Sequence, residues 1–333
     1  MTLPMRGLLV CQASDEVGLG HLSRMAVLAI AFQQQTTIQI DLVIQGLAIV
    51  QKTLLTINHQ FLAPNDCLCT AILNLITISS PQFIVFDVCA KRIDQAFIVC
   101  LKQLRALNIK IIAIDSLDYA AYCDRVHIPA FWVDPAKLGL VSCPVFYGWD
   151  CYLLAEQNSK KSWQPGNKIM VLTGGSDVMH LGETWPCVLD QHLALGSEVH
   201  WVQGPYAKAP QLPKTLRLHW VVHVAPENIL SLMAEMHYAL TVFGVSFFEL
   251  VQCGIPTVVF SPYGEKDQMT LTKINELELC AIAKNSVDAI QALMRLMMND
   301  KMARLFSIRS LAALAGNGAD KLIYRIQLLM NKL

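Results

Sequence analysis

The sequence predicts an α/β chain of two doubly wound, parallel-sheet domains, and three observations carry that expectation. Short apolar runs alternate with amphipathic segments of helical length, the pattern of strands buried on both faces and joined by helical crossovers. The rhythm occurs twice, and the polar stretch 156–168 (EQNSKKSWQPGNK), with Pro165-Gly166 as a breaker, separates the two runs. At 333 residues the chain is long enough for two domains of ordinary size.

Each element follows from its residues. In the first run, Gly7–Cys11 reads as a strand, His21–Gln34 as a helix and Ile38–Ile44 as a second strand, with a helix near Leu47–Leu54. Phe83–Phe86 is a short buried strand ending at Asp87, Ile93–Ala106 a helix, and Lys110–Ile114 a strand ending at Asp115. After the polar stretch come strand Ile169–Leu172, loop Thr173–Asp177, a helix from about Glu183, and strands Glu198–Val202 and Leu218–Val222. Helix Glu227–Met236, strand Tyr238–Val242, helix Phe247–Cys253, strand Thr257–Phe260 and loop Ser261–Gln268 follow. Lys301–Met330 is helical with a break at Gly316-Asn317-Gly318. The expected organisation is a Rossmann-like domain over 1–155, a linker over 156–168, a second such domain over 169–315 and a C-terminal helix over 316–333. Two such domains are expected to face each other across a cleft at the carboxyl ends of their sheets, where ligands of this architecture bind.

Composition narrows the function. Lys and Arg together number 26, as do Asp and Glu, and no basic stripe occurs, which argues against nucleic acid as a partner. Hydrophobic residues make up 54% and charged ones 16%, so either the cores are large or part of the surface is apolar, as at a subunit interface or a membrane edge. No run approaches the roughly 18 to 20 apolar residues of a spanning helix. Eleven scattered cysteines, without CxxC pairs and closest at Cys67-Leu-Cys69, indicate reduced thiols in the cytoplasm and argue against a structural metal site. The histidines at 59, 127, 180, 192, 200, 219, 223 and 237 lack metal spacing and read as structural.

Five sets of residues carry chemistry. Gly18-Leu19-Gly20-His21-Leu22-Ser23-Arg24 lies where the first strand turns into the first helix. That order aims backbone N–H groups and the positive helix end at an anion. His21 stands there as the side chain suited to move a proton near neutral pH. The alternative is a glycine loop with an incidental histidine. Asp87 and Asp115 close apolar strands, so each either serves the cleft, orienting a histidine or binding a sugar hydroxyl, or caps the next turn. Thr173-Gly174-Gly175-Ser176-Asp177 offers hydroxyls and free amides to a phosphate or base, or is a tight turn. In Phe243-Gly244-Val245-Ser246-Phe247-Phe248-Glu249, a glycine loop opens a helix whose first turn holds Glu249. There the helix end suits a diphosphate and the carboxylate suits two ribose hydroxyls, the alternative being a carboxylate that only complements the helix dipole. The loop residues Glu265-Lys266-Asp267-Gln268 either contact sugar or phosphate or are solvated.

Taken together, GLGHLSR, IVFD, IIAIDSLDYAAYCDRV, LTGGSD, FGVSFFELVQCGIPTVV, Asp267-Gln268 and GNGADKLIYRI resemble, in order and spacing, the two-domain nucleotide-sugar enzymes of the GT-B fold. The nearest likeness is the UDP-sugar hydrolase of pseudaminic acid biosynthesis and its spore-coat polysaccharide relatives. The resemblance spans nearly the whole chain. It implies a UDP-linked deoxy-amino sugar as substrate, His21 as the base that activates water at the anomeric carbon, inversion, and neither metal nor cofactor. It implies that Glu249 holds the ribose, and that Gly174, Gly175, Ser176 and Asp177, with Gly244, Val245, Ser246 and Phe247, hold uracil and diphosphate. Gly18, Gly20 and Arg24 belong to the first loop's binding set, with Asp87 the catalytic partner of His21 and Asp267 and Gln268 on the later loop.

The chain departs from that pattern at three places. Asp87-Val88-Cys89 stands where a tyrosine commonly follows the strand-end Asp, Asp267 replaces an Asn, and Phe247 follows Ser246 where a second small hydroxyl residue is usual. An aspartate near a diphosphate is repulsive unless a cation such as Lys266 or Arg24 offsets it. Three functions therefore stand side by side: a hydrolase, a glycosyltransferase in which His21 deprotonates an acceptor hydroxyl, and a nucleotide-sugar binder without catalysis.

Overall fold

The computed structural model describes residues 4–14, 16–48, 52–89, 93–155, 162–226, 228–314 and 317–331. Asp15 of the first glycine loop, positions 156–161 of the expected linker, Glu227 and Gly316 lie outside the described residues, as does part of the helix expected near Leu47–Leu54. The chain divides into two compact units, Met1–Ala155 with Gly316–Leu333, and Glu156–Ala315.

Unit 1 begins with β1 (Arg6–Ala13), α1 (Gly20–Gln35), β2 (Gln39–Gly46), α2 (Lys52–Leu55), β3 (His59–Leu62) and α3 (Leu68–Ser79). It continues through β4 (Phe83–Asp87), α4 (Gln95–Ala106), β5 (Lys110–Ile114), β6 (Arg125–His127), α5 (Pro135–Leu138) and β7 (Val145–Phe146). Its sheet has the order β3-β2-β1-β4-β5-β6-β7, with the paired strands parallel. Successive residues of β1 serve opposite faces, as the two-residue strand period requires. Leu9 and Cys11 join the core beneath α1, while Leu8 and Val10 join the core that holds Phe97, Leu101 and Leu104 of α4. This two-sided burial is why the strand reads as an unbroken apolar run.

Unit 2 holds β8 (Lys168–Leu172), α6 (Leu181–His192), β9 (Glu198–Gln203), β10 (His219–Val224), α7 (Ile229–Met233) and β11 (Tyr238–Val242). Then come α8 (Val245–Cys253), β12 (Thr257–Phe260), α9 (Glu265–Glu276), β13 (Ala281–Ala283), α10 (Ser286–Met297) and α11 (Asp300–Ala313). The sheet order is β10-β9-β8-β11-β12-β13, again with parallel pairs. The last helix, α12 (Gly318–Met330), belongs to unit 1, where Ala319, Leu322, Ile323, Ile326 and Met330 enter the core beneath α1. A Cβ on Gly318 would lie 2.3 Å from the Tyr152 carbonyl oxygen, so that close approach requires glycine.

Two expectations change in detail. The expected loop Ser261–Gln268 ends early, because Glu265 already opens α9 after Gly264, which has φ +55°. Glu249 falls in the second turn of α8, since that helix starts at Val245. Among the described residues, no helix is long and apolar enough to cross a membrane.

Candidate functional site

In each unit the sheet order reverses at one place, between β1 and β4 in unit 1 and between β8 and β11 in unit 2. Connections leave a sheet in opposite directions at such a point and open a crevice at the carboxyl ends of the two strands. The loop Gly18–Gly20 follows β1 and Asp87 ends β4, so the first unit's expected residues flank its reversal point. Gly174–Asp177 follow β8 and Phe243–Ser246 follow β11, so the second unit repeats the arrangement.

The side chains of unit 1 converge there. Asp87 is fully buried, and one of its carboxylate oxygens lies 2.6 Å from His21 Nδ1. Arg24 donates from Nε to the other oxygen at 2.8 Å and from Nη2 to the first at 2.8 Å, a two-pronged pairing. Arg24 also reaches the Asp115 carboxylate at 3.3 Å. Residues 21 and 24 are three apart and so share one face of α1, which lets both meet the end of β4. Burial alone would raise the Asp87 pKa, but the charges of Arg24 and His21 and their hydrogen bonds hold it below the usual carboxylate range. Burial likewise opposes the Arg24 charge, and Asp87 and Asp115 override it.

This geometry assigns the imidazole tautomer. Arg24 Nη2 lies 3.1 Å from His21 Nδ1, but Nδ1 faces an ionised carboxylate at 2.6 Å. A nitrogen lone pair pointed at that carboxylate would be repelled, so Nδ1 carries the proton and donates to Asp87. Nε2 is left with the lone pair and can accept a proton. The side chain is 17% exposed.

Helix capping separates anion-ready helix ends from satisfied ones. Helices α4, α5, α7, α10, α11 and α12 start behind Asp94, Asp134, Asn228, Asn285, Asn299 and Asn317, each accepting a backbone N–H. Helices α1 and α8, at the reversal points, and α3 start behind Leu19, Gly244 and Cys67, with no side-chain cap and no acidic residue in the first turn. Their leading N–H groups therefore remain available to an anion. Gly18, at φ +73° with open space beside it, supplies the left-handed turn before α1.

The other expected residues divide by role. Gly174 takes φ +88°, and the Gly175 carbonyl accepts from Tyr206 N–H. Asp177 is a correction. Its carboxylate accepts from the N–H groups of Leu181 and Gly182, at 2.9 and 2.8 Å, so it caps α6 and repels rather than invites a phosphate there. Phe247 is another: its ring is fully buried against Phe243 and Phe248, and its N–H bonds the Gly244 carbonyl, so neither part reaches a ligand. Asp267 accepts from the Ser261 hydroxyl at 2.7 Å and, with Glu265, complements the start of α9. That end is accordingly unsuited to a diphosphate, while Gln268 is exposed beside it. Ser246 hydrogen-bonds Glu249, and burial pushes the Glu249 carboxyl up to about 7 against that bond.

Two participants were missed or undervalued. Asp115, which reads from sequence as either a cleft residue or a cap, takes φ +58° and pairs its carboxylate with Arg24. Gln12, only 4% exposed, accepts from Cys89 N–H and donates to Gln45, tying the end of β1 to the segment after β4. A lone amide in an otherwise apolar strand was its signal. Of the histidines read as structural, His200 sits between Glu198, at 2.7 Å, and His223, at 3.0 Å.

No family model matches the chain, and no curated protein matches it in sequence. Solved structures match it in fold. Staphylococcus aureus MnaA bound to UDP superposes with a TM-score of 0.67 at 12% identity, over 99% of this chain and 98% of that one. A UDP-glucosyltransferase from Polygonum tinctorium gives 0.67 at 13% identity, over 98% and 99%. The UDP-GlcNAc 2-epimerase of Neisseria meningitidis bound to UDP-GlcNAc gives 0.65 at 13%, over 97% and 100%. The fold is GT-B. Unit 1 by itself holds the His21–Asp87–Arg24–Asp115 cluster, and unit 2 by itself holds the free start of α8 with Glu249 beyond it.

Proposed function

We propose that the protein is an enzyme acting on a UDP-linked sugar, with His21 as general base. The observation that carries this reading is the Nδ1-anchored imidazole of His21 beside an uncapped helix start at the reversal point of unit 1. In the favoured form the reaction is hydrolysis. His21 Nε2 takes a proton from water as its oxygen bonds the anomeric carbon, the bond from that carbon to the UDP oxygen breaks, and UDP departs with its electron pair. Attack opposite the leaving group inverts the anomeric centre. With the ring neutral, Arg24, Asp87 and Asp115 sum to one negative charge; once the ring is protonated the cluster is neutral, so it compensates the charge that develops. Arg24 keeps Asp87 ionised and fixed.

Unit 2 supplies the nucleotide-holding groups in this scheme. The N–H groups at the start of α8 serve the diphosphate, Glu249 accepts from the ribose hydroxyls, and the Gly174–Ser176 turn serves the base. The likeness to structures bound to UDP and UDP-GlcNAc supports the substrate class. The likeness to a UDP-glucosyltransferase supports a second form, in which a sugar-accepting hydroxyl replaces water.

The test incubates the purified protein with a panel of UDP-sugars, with and without acceptor alcohols. UDP and free sugar without acceptor support hydrolysis, and UDP release only with acceptor supports transfer. His21→Ala is expected to lose at least about 100-fold in turnover while still binding UDP. A variant that binds and turns over normally removes His21 from the mechanism.

A further inference from the structure

Two glutamines at the carboxyl edge of the unit 1 sheet form a chain of hydrogen bonds whose direction is fixed from both ends. The β1–β4 ladder makes its last pair at Cys11 and Asp87, while β1 continues against β2 through Gln12–Gln45 and Ala13–Gly46. Strand β4 thus parts from β1 at the residue that holds His21, and the Gln12 side chain takes over where the ladder stops. Gln12 Oε1 accepts from Cys89 N–H at 2.9 Å, two residues beyond Asp87, and Gln12 Nε2 donates to Gln45 Oε1 at 2.9 Å. Gln45 Nε2 donates in turn to the Asp66 carbonyl at 2.8 Å. That carbonyl lies in the turn after β3, which Asp66 closes by bonding the Ala63 N–H and C=O, each at 3.0 Å. Cys89 N–H can only donate and the Asp66 carbonyl can only accept, so neither amide can flip without setting like groups against each other. By strand alternation Gln12 shares the face of Leu8 and Val10, opposite α1. His21 and Arg24 of α1 therefore hold the Asp87 carboxylate from one face, while Gln12 tethers the backbone just after it from the other.

We propose that Gln12, braced by Gln45, is a positioning residue for the His21–Asp87 pair: it fixes where β4 ends and so keeps the carboxylate 2.6 Å from Nδ1. This role rests on that of His21 as general base, and Gln12 serves it through the backbone of β4. Leucine at position 12 fills similar space but leaves Cys89 N–H unpaired and the end of β4 free to follow its partners on the α1 side. A protonated glutamate keeps the polarity of the chain, since its O–H donates to Gln45 Oε1 and its carbonyl accepts from Cys89 N–H. With position 12 only 4% exposed and facing an acceptor, that carboxyl resists ionisation.

The experiment follows the His21 Nδ1 proton by NMR in the full-length protein with isotope-labelled histidine, beside steady-state kinetics on a UDP-sugar that the panel above shows to be turned over. A proton held in so short a bond to a carboxylate resonates far downfield and moves upfield as the bond lengthens. In Gln12→Leu the resonance should move upfield and kcat should fall at least about tenfold, with KM changed less than about threefold. Gln12→Glu at pH 6 should restore both to the wild-type values at that pH. Gln45→Leu, at a half-buried position that the fold tolerates, should move the resonance the same way by less. A resonance unmoved in Gln45→Leu and in folded Gln12→Leu overturns the proposal, as does Gln12→Glu behaving like Gln12→Leu at pH 6. The resonance needs no substrate, so a wild type that turns over no UDP-sugar refutes the enzymatic reading alone and leaves the positioning role to be decided by the spectra.

Discussion

If Glu249 holds the ribose as proposed, its raised pKa makes nucleotide binding depend on pH in a calculable way. If the carboxylate must be ionised to accept two ribose hydroxyls, a site with a pKa of about 7 is mostly ionised at pH 8 and only about 3% ionised at pH 5.5. Affinity for a UDP-sugar should therefore fall about 30-fold between those pH values, with a limiting slope of one decade per pH unit. A UDP-sugar is the right probe because its diphosphate is doubly esterified and does not titrate in this range, unlike free UDP. Calorimetry in two buffers of different ionisation enthalpy would count about half a proton released at pH 7. Glu249→Gln should bind weakly at every pH and show no slope. Stability moves the same group in a complementary sense. Because the folded pKa lies above the usual 4.5, the native state holds the proton longer than the unfolded chain, so stability declines as pH rises from 4.5 to about 7. The full cost is at most about 3 kcal/mol, and Glu249→Gln should recover it at pH 8 but not at pH 4. Flat affinity from pH 5.5 to 8, with Glu249→Gln binding as well as wild type, would refute the ribose role.

Other expectations follow from single contacts. Asp87→Asn leaves Arg24 buried without its main counter-charge and should cost about 3–5 kcal/mol in urea denaturation. Since Asp87 titrates below the usual carboxylate range, its contribution is present above that range and is lost as pH falls through the folded value, so the gap between variant and wild type should close in acid. Ile326→Ala, at a fully buried position of α12, should cost about 2–5 kcal/mol, and a loss under 1 kcal/mol would mean that α12 is dispensable to unit 1. Gly254→Ala meets both φ +68° and a Leu311 carbon at 2.5 Å, whereas Gly18→Ala meets φ +73° alone; the first should be the more destabilising, as thermal melts would register.

Much of the architecture could be read because buried parallel strands leave a plain trace. Phe83–Asp87, Tyr238–Val242 and Thr257–Phe260 are uninterrupted buried runs, and the strands that went unread lack one. Only partial burial marks β3, with His59 and Gln60 at its start, and β6 and β7 have three and two residues, too few for a period. Helix α9 is mostly polar, with only Leu271 and Ile274 buried, so its first turn reads as loop. At the site, His21, Arg24 and Asp87 were legible because strand ends and glycine turns point to the carboxyl edge of a sheet. The pairing of Asp115 was not, since it depends on a left-handed backbone that aspartate adopts only in context. Nor was the cap formed by Asp177, because a carboxylate after a glycine turn reads equally as ligand group or helix cap.

The return of α12 to unit 1 makes unit 2 an insertion within a discontinuous unit. On the ribosome, residues 156–315 emerge as one continuous stretch and can gather their own core, while the apolar underside of α1 waits for Leu322, Ile323 and Ile326 to be translated. Completion of the unit that carries His21 thus waits for the synthesis of α12, and nascent chains halted before position 318 would present a greasy patch to chaperones and proteases.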